Sequence, residues 1–308
     1  MPQSRGVVGR GAGTGVSAAP PPISVAPLPS RRPELVVLDL DGTCLDIRDQ
    51  SLHPRIRDAV RATVCGGTTV VIASGRMYRS ALPHARDLQV VTPLVCYQGA
   101  VVRAMPREGD ALVDGVPLGE LLFEDALSPP VALDALAAAR RGGWHRQAYQ
   151  DERLLCEEDR PEAHMYARIA QVPITFVPDM ERLLREGSTK FVCVVDGSPA
   201  VDECEAAKRS ALGDAARVTR SLPQFVEVTN PNASKGRALR RLCERLGVSL
   251  ADAVAVGDAP NDADMLAAAG YAVAVEGAPQ SLLDVADATC PKPADAGVAL
   301  VLERLGLG

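Results

Sequence analysis

Five consecutive residues, Asp39-Leu40-Asp41-Gly42-Thr43, place two carboxylates two positions apart beside a glycine and a hydroxyl. They follow the aliphatic run Leu35-Val36-Val37-Leu38. At the carboxyl end of a buried strand, two such carboxylates can aim at one point. Gly42 lets the backbone turn sharply after them. The set suits an aspartate nucleophile, a second aspartate that shuttles a proton, and a magnesium ion that neutralises charge.

Three further groups share that placement, each at a strand end or a helix start. Ser74-Gly75-Arg76 follows the aliphatic run 69–73, where a hydroxyl and loop amides can hold a phosphate oxygen. Lys235 stands just inside a helix opened by Ala233-Ser234, where a cation joins helix-end amides in facing an anion. Gly257-Asp258-Ala259-Pro260-Asn261-Asp262 is an acidic loop after the run 253–256, suited to a hard cation with oxygen ligands.

The elements that must position these groups alternate strand with helix. Strands are expected over 34–38, 69–73 and 94–97, helices over 54–64 and 78–88, and a hairpin near 101–120. The alternation resumes with a helix over 234–246, whose Leu239, Leu242 and Leu246 share one face, and a strand over 253–256. A short helix over 262–269, a strand over 271–275, and helices over 279–286 and 295–305 follow. Repeated βαβ units imply a parallel sheet with helices on both faces, whose strand ends converge on one crevice. Between them, Pro129-Pro130 and Gly142-Gly143 punctuate helical patterns at 131–141, 178–186 and 200–212 and strand-like runs at 153–157 and 190–195. This middle region reads as an inserted α/β domain over 125–222, leaving 31–124 and 223–308 as the core.

The chain has 308 residues, enough for two domains. Hydrophobic residues make up 47 % and aromatics 3 %, so the core must be aliphatic, as under parallel sheets. A net charge of −6 without a basic block argues against nucleic acid as a bulk ligand, while a small phosphorylated metabolite needs only a few local cations. The eight cysteines contain no C-x-x-C pair and the four histidines are scattered, so buried thiols in a reducing cytoplasm are expected and a zinc site is not. No apolar run is long enough to cross a membrane. Residues 1–30, rich in Gly, Pro, Ser and Ala, read as a disordered tail. Their Val8–Gly15 stretch never completes a phosphate-binding loop.

Together these motifs resemble the haloacid dehalogenase superfamily of phosphohydrolases from about residue 34 to 306. The finer resemblance is to its Cof-like subgroup, whose type-2 cap is inserted where this chain carries its middle region. Val95-Cys96-Tyr97-Gln98-Gly99-Ala100 is similar to that subgroup's Y-N-G-A, with Gln98 in place of Asn. Ala233–Leu239 is similar to S-K-G-x-A-L, and the run from Gly257 to Leu266 to G-D-x-x-N-D-x-x-M. Ala274-Val275-Glu276-Gly277-Ala278 departs from A-M-G-N-A, which leaves that loop open.

The resemblance implies a Rossmann-like, doubly wound core with an inserted α/β cap. It implies that Asp39 attacks phosphorus and becomes an aspartyl phosphate. Asp41 protonates the leaving oxygen and then deprotonates water. Mg²⁺ is held by the Asp39 carboxylate, the Asp41 main-chain carbonyl and Asp258. Ser74 and Lys235 hold phosphate oxygens, Lys235 offsets charge on Asp39, and Asn261 touches the phosphate. Thr43 and Gly75 belong to the substrate-binding set. Asp262 orients Lys235 or a metal-bound water, and Arg76 either reaches the substrate or makes a surface salt bridge.

Taken singly, each motif has a plainer reading. D-x-D-G is a common polar turn, Ser74, Asp258 and Asp262 suit helix caps, and Lys235 suits a solvated helix face. Trp144, His145, Tyr149, Arg168 and Arg220 in the insert fit structural or solvated roles better than ligand contacts. The expected activity is Mg²⁺-dependent hydrolysis of small phosphomonoesters, sugar phosphates first, then pyridoxal phosphate or flavin mononucleotide. A sugar-phosphate phosphotransferase or mutase, or a non-catalytic phosphometabolite-binding protein, is the alternative. The expected assembly is a monomer or homodimer.

Overall fold

The computed structural model describes residues 29, 31–220 and 222–308. The disordered tail expected over 1–30 therefore lies, Pro29 apart, outside the described residues. The first core segment runs through β1 (Leu35–Leu38), α1 (Pro54–Cys65), β2 (Thr69–Ile72), α2 (Tyr78–Asp87) and β3 (Leu94–Cys96). It continues through β4 (Val101–Arg103), a short hairpin of β5 (Leu112–Val113) and β6 (Val116–Pro117), and β7 (Leu121–Glu124).

The insert follows with α3 (Pro129–Gly142), β8 (His145–Gln150), β9 (Arg153–Cys156), α4 (Pro161–Ala170), β10 (Ile174–Phe176) and α5 (Met180–Leu184). It is completed by β11 (Lys190–Val194), α6 (Ser198–Leu212), β12 (Arg217–Arg220) and β13 (Phe225–Thr229). The second core segment contains α7 (Lys235–Leu246), β14 (Ala253–Gly257), α8 (Ala263–Leu266), β15 (Tyr271–Val275), α9 (Gln280–Leu283), β16 (Ala288–Cys290) and α10 (Gly297–Arg304).

The core sheet has the order β16-β15-β14-β1-β2, all parallel. A parallel bridge from Ala73 to Val95 brings β3 alongside β2. Every side chain of β1 is buried. Val36 and Leu38 pack with Ile56, Val60 and Leu302 on one face, and Leu35 and Val37 pack with Leu239, Leu242 and Met265 on the other. Helices on both faces explain why β1 is an unbroken apolar run instead of an alternating one. The chain leaves β1 toward β2 on one side and returns through β14 on the other, so the order reverses at β1/β14, where such sheets open a crevice.

The second sheet has the order β10-β9-β8-β11-β13-β12 and is antiparallel except for β9–β10. Its strands alternate. Phe191, Cys193 and Val195 pack among residues of α3 and α6, while Val192 and Val194 join the cluster that reaches into the core domain. β13 is a central strand of this sheet, so the insert extends to Thr229 and the division placed after residue 222 falls too early. The two connections run side by side, with Asn230 Nδ2 donating to the Ala126 carbonyl at 2.8 Å.

Other differences are local. The expected helix over 262–269 is a 3₁₀ turn at Pro260–Asp262 followed by α8, and α9 is likewise shorter than expected. Leu246, placed on the buried face of α7, is 37 % exposed at the last turn. Among the described residues no helix is long and apolar enough to cross a membrane.

Candidate active site

The site lies where β1, β2 and β14 end. β1 delivers Asp39, the next turn carries Asp41 to Thr43, β14 ends at Gly257 and delivers Asp258, and the loop after β2 carries Ser74 to Arg76. Lys235 is the first residue of α7, whose cap Ser234 accepts a hydrogen bond from the Arg237 amide at 3.1 Å. The start of α7 rests on the turn after β3. Gly99 there has φ +93°, and a Cβ would stand 2.1 Å from the Ser234 carbonyl oxygen. Glycine at 99 is therefore what lets Lys235 reach the strand ends.

Lys235 is fully buried. Its ammonium donates to Asp39 Oδ1 at 2.5 Å and to Asp262 Oδ1 at 2.6 Å. The other Asp262 oxygen accepts from the Asp258 and Ala259 amides, both at 3.1 Å, so Asp262 ties α7 to the loop after β14. Thr43 Oγ1 donates to Asp258 Oδ1 at 3.1 Å. Gly42 closes this contact from below. Its φ is +88°, and a Cβ there would lie 2.3 Å from Asp258 Oδ2.

Burial pushes the Asp39 carboxyl well above the ordinary range; Lys235 pulls it down, and Asp262, Asp258 and Asp41 add to the rise. Burial opposes the charge on Lys235, but Asp262 and Asp39 outweigh it and hold its pKa above the usual lysine value. Asp258 is pushed up to about 6, by burial first and then by Asp262. We take Lys235 as charged, shared by two carboxylates, with negative charge in surplus around it.

The residues fit a divalent cation. Asp39, Asp258 and Asp262 each bring a carboxylate oxygen to within 4.8 Å of the others. The donors are all oxygen, which suits a hard ion such as Mg²⁺. Four carboxylates (Asp39, Asp41, Asp258 and Asp262) meet two cations, Lys235 and Arg76, so the cluster lacks the charge that a divalent ion brings.

The remaining expected residues are placed as follows. Arg76 grips Asp41 with both arms, at 2.8 and 2.6 Å, and also contacts Gln50, Ser80 and His84. With the two side chains 9 % and 34 % exposed, this is a partly buried bidentate ion pair, where the sequence offered a surface salt bridge as one of two readings. Ser74 Oγ accepts from the Arg76 amide at 3.1 Å and shapes the loop. Thr43 is turned to Asp258 and is buried. Asn261 donates to Gln98 Oε1 at 2.8 Å. Gln98 itself is left-handed, φ 60°, a conformation asparagine tolerates better than glutamine.

A cavity of about 600 Å³ opens from Asp39, Asp41 and Asp258 toward the second sheet. Gly75, Arg76, Gln98 and Asn261 line the core side. Tyr166, Arg168, Lys190, Leu222, Phe225 and Glu227 line the other. Sequence reasoning missed Lys190 and Glu227. They form a buried ion pair at 2.9 Å, and the Lys190 ammonium lies 5.1 Å from the Tyr149 ring centroid and 3.5 Å from the Gly75 carbonyl. The available signal was a charge inside each of the strand runs 190–194 and 225–229. Of the five polar and aromatic insert residues considered from sequence, only Arg168 lines this cavity. His145 and Tyr149 are buried, Trp144 packs against the outer-face cluster, and Arg220 is paired with Asp202 and Glu205.

Comparison with known proteins shows the family. The family profile of haloacid dehalogenase-like hydrolases matches residues 36–302. An HMP-PP phosphatase of Cronobacter sakazakii is 30 % identical over 256 residues, covering 81 % of this chain and 86 % of that protein. A phosphoglycolate phosphatase of Archaeoglobus fulgidus is 27 % identical, covering 90 % and 98 %. A crystal structure from Thermotoga maritima is 30 % identical with a TM-score of 0.75, covering 88 % of this chain and 97 % of its own. The chain belongs to the haloacid dehalogenase-like hydrolase family.

Proposed function

We propose that this chain is a Mg²⁺-dependent phosphatase that hydrolyses small phosphomonoesters, sugar phosphates first among them, through an aspartyl phosphate on Asp39. The observation that carries the reading is Lys235 bridging Asp39 and Asp262 at the strand ends, beside a cavity lined on its other side by the inserted domain. The phosphatase names of the relatives support the reaction class.

In this reading Asp39 attacks phosphorus, forming one P–O bond as the bond to the leaving oxygen breaks. Asp41 gives that oxygen its proton. Asp41 then takes a proton from water, whose oxygen attacks phosphorus and releases Asp39. Arg76 fixes where the Asp41 carboxylate points, because two parallel hydrogen bonds set orientation as well as distance. Lys235 offsets charge on the nucleophile as it meets an anionic phosphate. Thr43 and Asp262 hold Asp258 and the loop after β14. Asp39, Asp258 and the Asp41 carbonyl would hold Mg²⁺, which would supply the remaining positive charge. Tyr166, Leu222 and Phe225 give the leaving-group side an apolar wall.

The test is phosphate release from a panel of phosphomonoesters with and without Mg²⁺, beside Asp39→Asn. Release that needs Mg²⁺ and is lost in the variant is expected. Release that survives Asp39→Asn overturns the mechanism, and no release from any ester overturns the activity.

A further inference from the structure

The charges on the leaving-group side of the cavity do not cancel. Lys190 and Glu227 pair with each other. Arg168, on α4, lines the same wall, and among the described residues it has no carboxylate within ion-pairing distance. Its neighbours differ in this respect. Arg160 is held by Glu158 and Glu162, Arg146 by Glu157 and Glu158, and Arg220 by Asp202 and Glu205.

Arg168 and Gln224 stand where two cavities meet. Both also line a second space of about 920 Å³ within the inserted domain. Tyr166 and Phe225, whose tilted rings have centroids 4.9 Å apart, line the same cavity as Asp39 and Arg168. For a leaving group whose phosphate is held at Asp39, those rings suit the carbon skeleton, and the Arg168 guanidinium suits an anion.

We propose that Arg168 is a specificity-determining residue that binds a second anionic group, a carboxylate or a second phosphate, at the far end of the leaving group. The inference rests on the phosphatase reading above. The planar fork of donors matches both groups, and the exposed position of Arg168 leaves it open to them. The favoured substrates are then phosphorylated sugar acids or sugar bisphosphates over neutral sugar monophosphates.

The test compares kcat/KM in two matched pairs, 6-phosphogluconate against glucose 6-phosphate and fructose 1,6-bisphosphate against fructose 6-phosphate. The first pair reads a carboxylate and the second a phosphate. A ratio favouring the more anionic ester in at least one pair is expected. Arg168→Ala lowers that ratio about tenfold, and Arg168→Lys retains part of it. Alanine on an exposed helix position keeps the fold. A ratio that Arg168→Ala does not change overturns the inference. Calorimetric titration of Asp39→Asn protein with the same four ligands, with and without Arg168→Ala, separates the two readings. Arg168-dependent discrimination in Kd without turnover of any ester overturns the phosphatase reading alone. Equal Kd changes across all four ligands overturn the role of Arg168.

Discussion

The Lys235 ammonium sits 2.5 Å from an Asp39 oxygen, and neither side chain is more than 6 % exposed. With Asp262 on its other side, Lys235 is the counter-charge for two buried carboxylates. Lys235→Met leaves both without a cation in a medium that solvates charge poorly. Removing one partner of a buried ion pair costs about 3 kcal/mol or more. We expect a urea midpoint lowered accordingly and phosphate release reduced to background. A variant as stable as the parent would show that the triad carries little of the fold.

Thr43 acts through Asp258. Thr43→Val keeps the shape and deletes the donor 3.1 Å from Asp258 Oδ1. Outer partners of metal ligands typically matter by one to two orders of magnitude in affinity. The Mg²⁺ concentration for half-maximal activity should rise roughly tenfold, with a smaller fall in kcat at saturating Mg²⁺. Thr43→Ser should restore it.

Gly42→Ala tests the same carboxylate from the other side. A methyl group at 2.3 Å from Asp258 Oδ2 forces that carboxylate away, and the φ of +88° adds backbone strain of about 1 kcal/mol. The Mg²⁺ requirement should rise further than in Thr43→Val, with a modest fall in Tm. An unchanged Mg²⁺ titration would remove Asp258 from the metal site.

Protons and metal compete at Asp258. Its carboxyl is raised from 3.8 to about 6 in the folded metal-free protein, so folding favours its protonated form. That contribution is full below the unfolded value and is lost as pH rises toward 6. A metal ligand must be ionised, so Mg²⁺ stabilises most above this window. The rise in Tm on adding Mg²⁺ should be small at about pH 5 and near its maximum at about pH 7.5. Asp258→Asn should flatten the dependence.

What was legible in the sequence follows from locality. The run 35–38 is aliphatic on both faces because helices cover both, and a polar motif at its end announced the site. β8 was not foreseen, because its inner face carries Gln147 and Tyr149, buried beside a charged pair, and gives no apolar alternation. α4 was missed because two of its three buried positions, Ala163 and Ala170, are too small to mark a face. Phe225–Thr229 was not singled out from sequence, and its pairing with β11 is what assigns it to the inserted domain. The roles of Arg76 and Thr43 depend on Asp41 and Asp258, partners 35 and 215 positions away, which spacing alone does not reveal.

The side-by-side crossings at Ala126 and Asn230 also set an order of assembly. On the ribosome, β1 and β2 emerge long before β14, the strand that must lie against β1. The whole inserted domain is synthesised in the interval and has every strand of its own sheet before β14 exists. Nascent β1 therefore waits with one edge unsatisfied, a state that invites aberrant pairing. Asp258 and Lys235 arrive only with the last segment, so an unfinished chain carries the nucleophile without its metal ligand or its counter-ion.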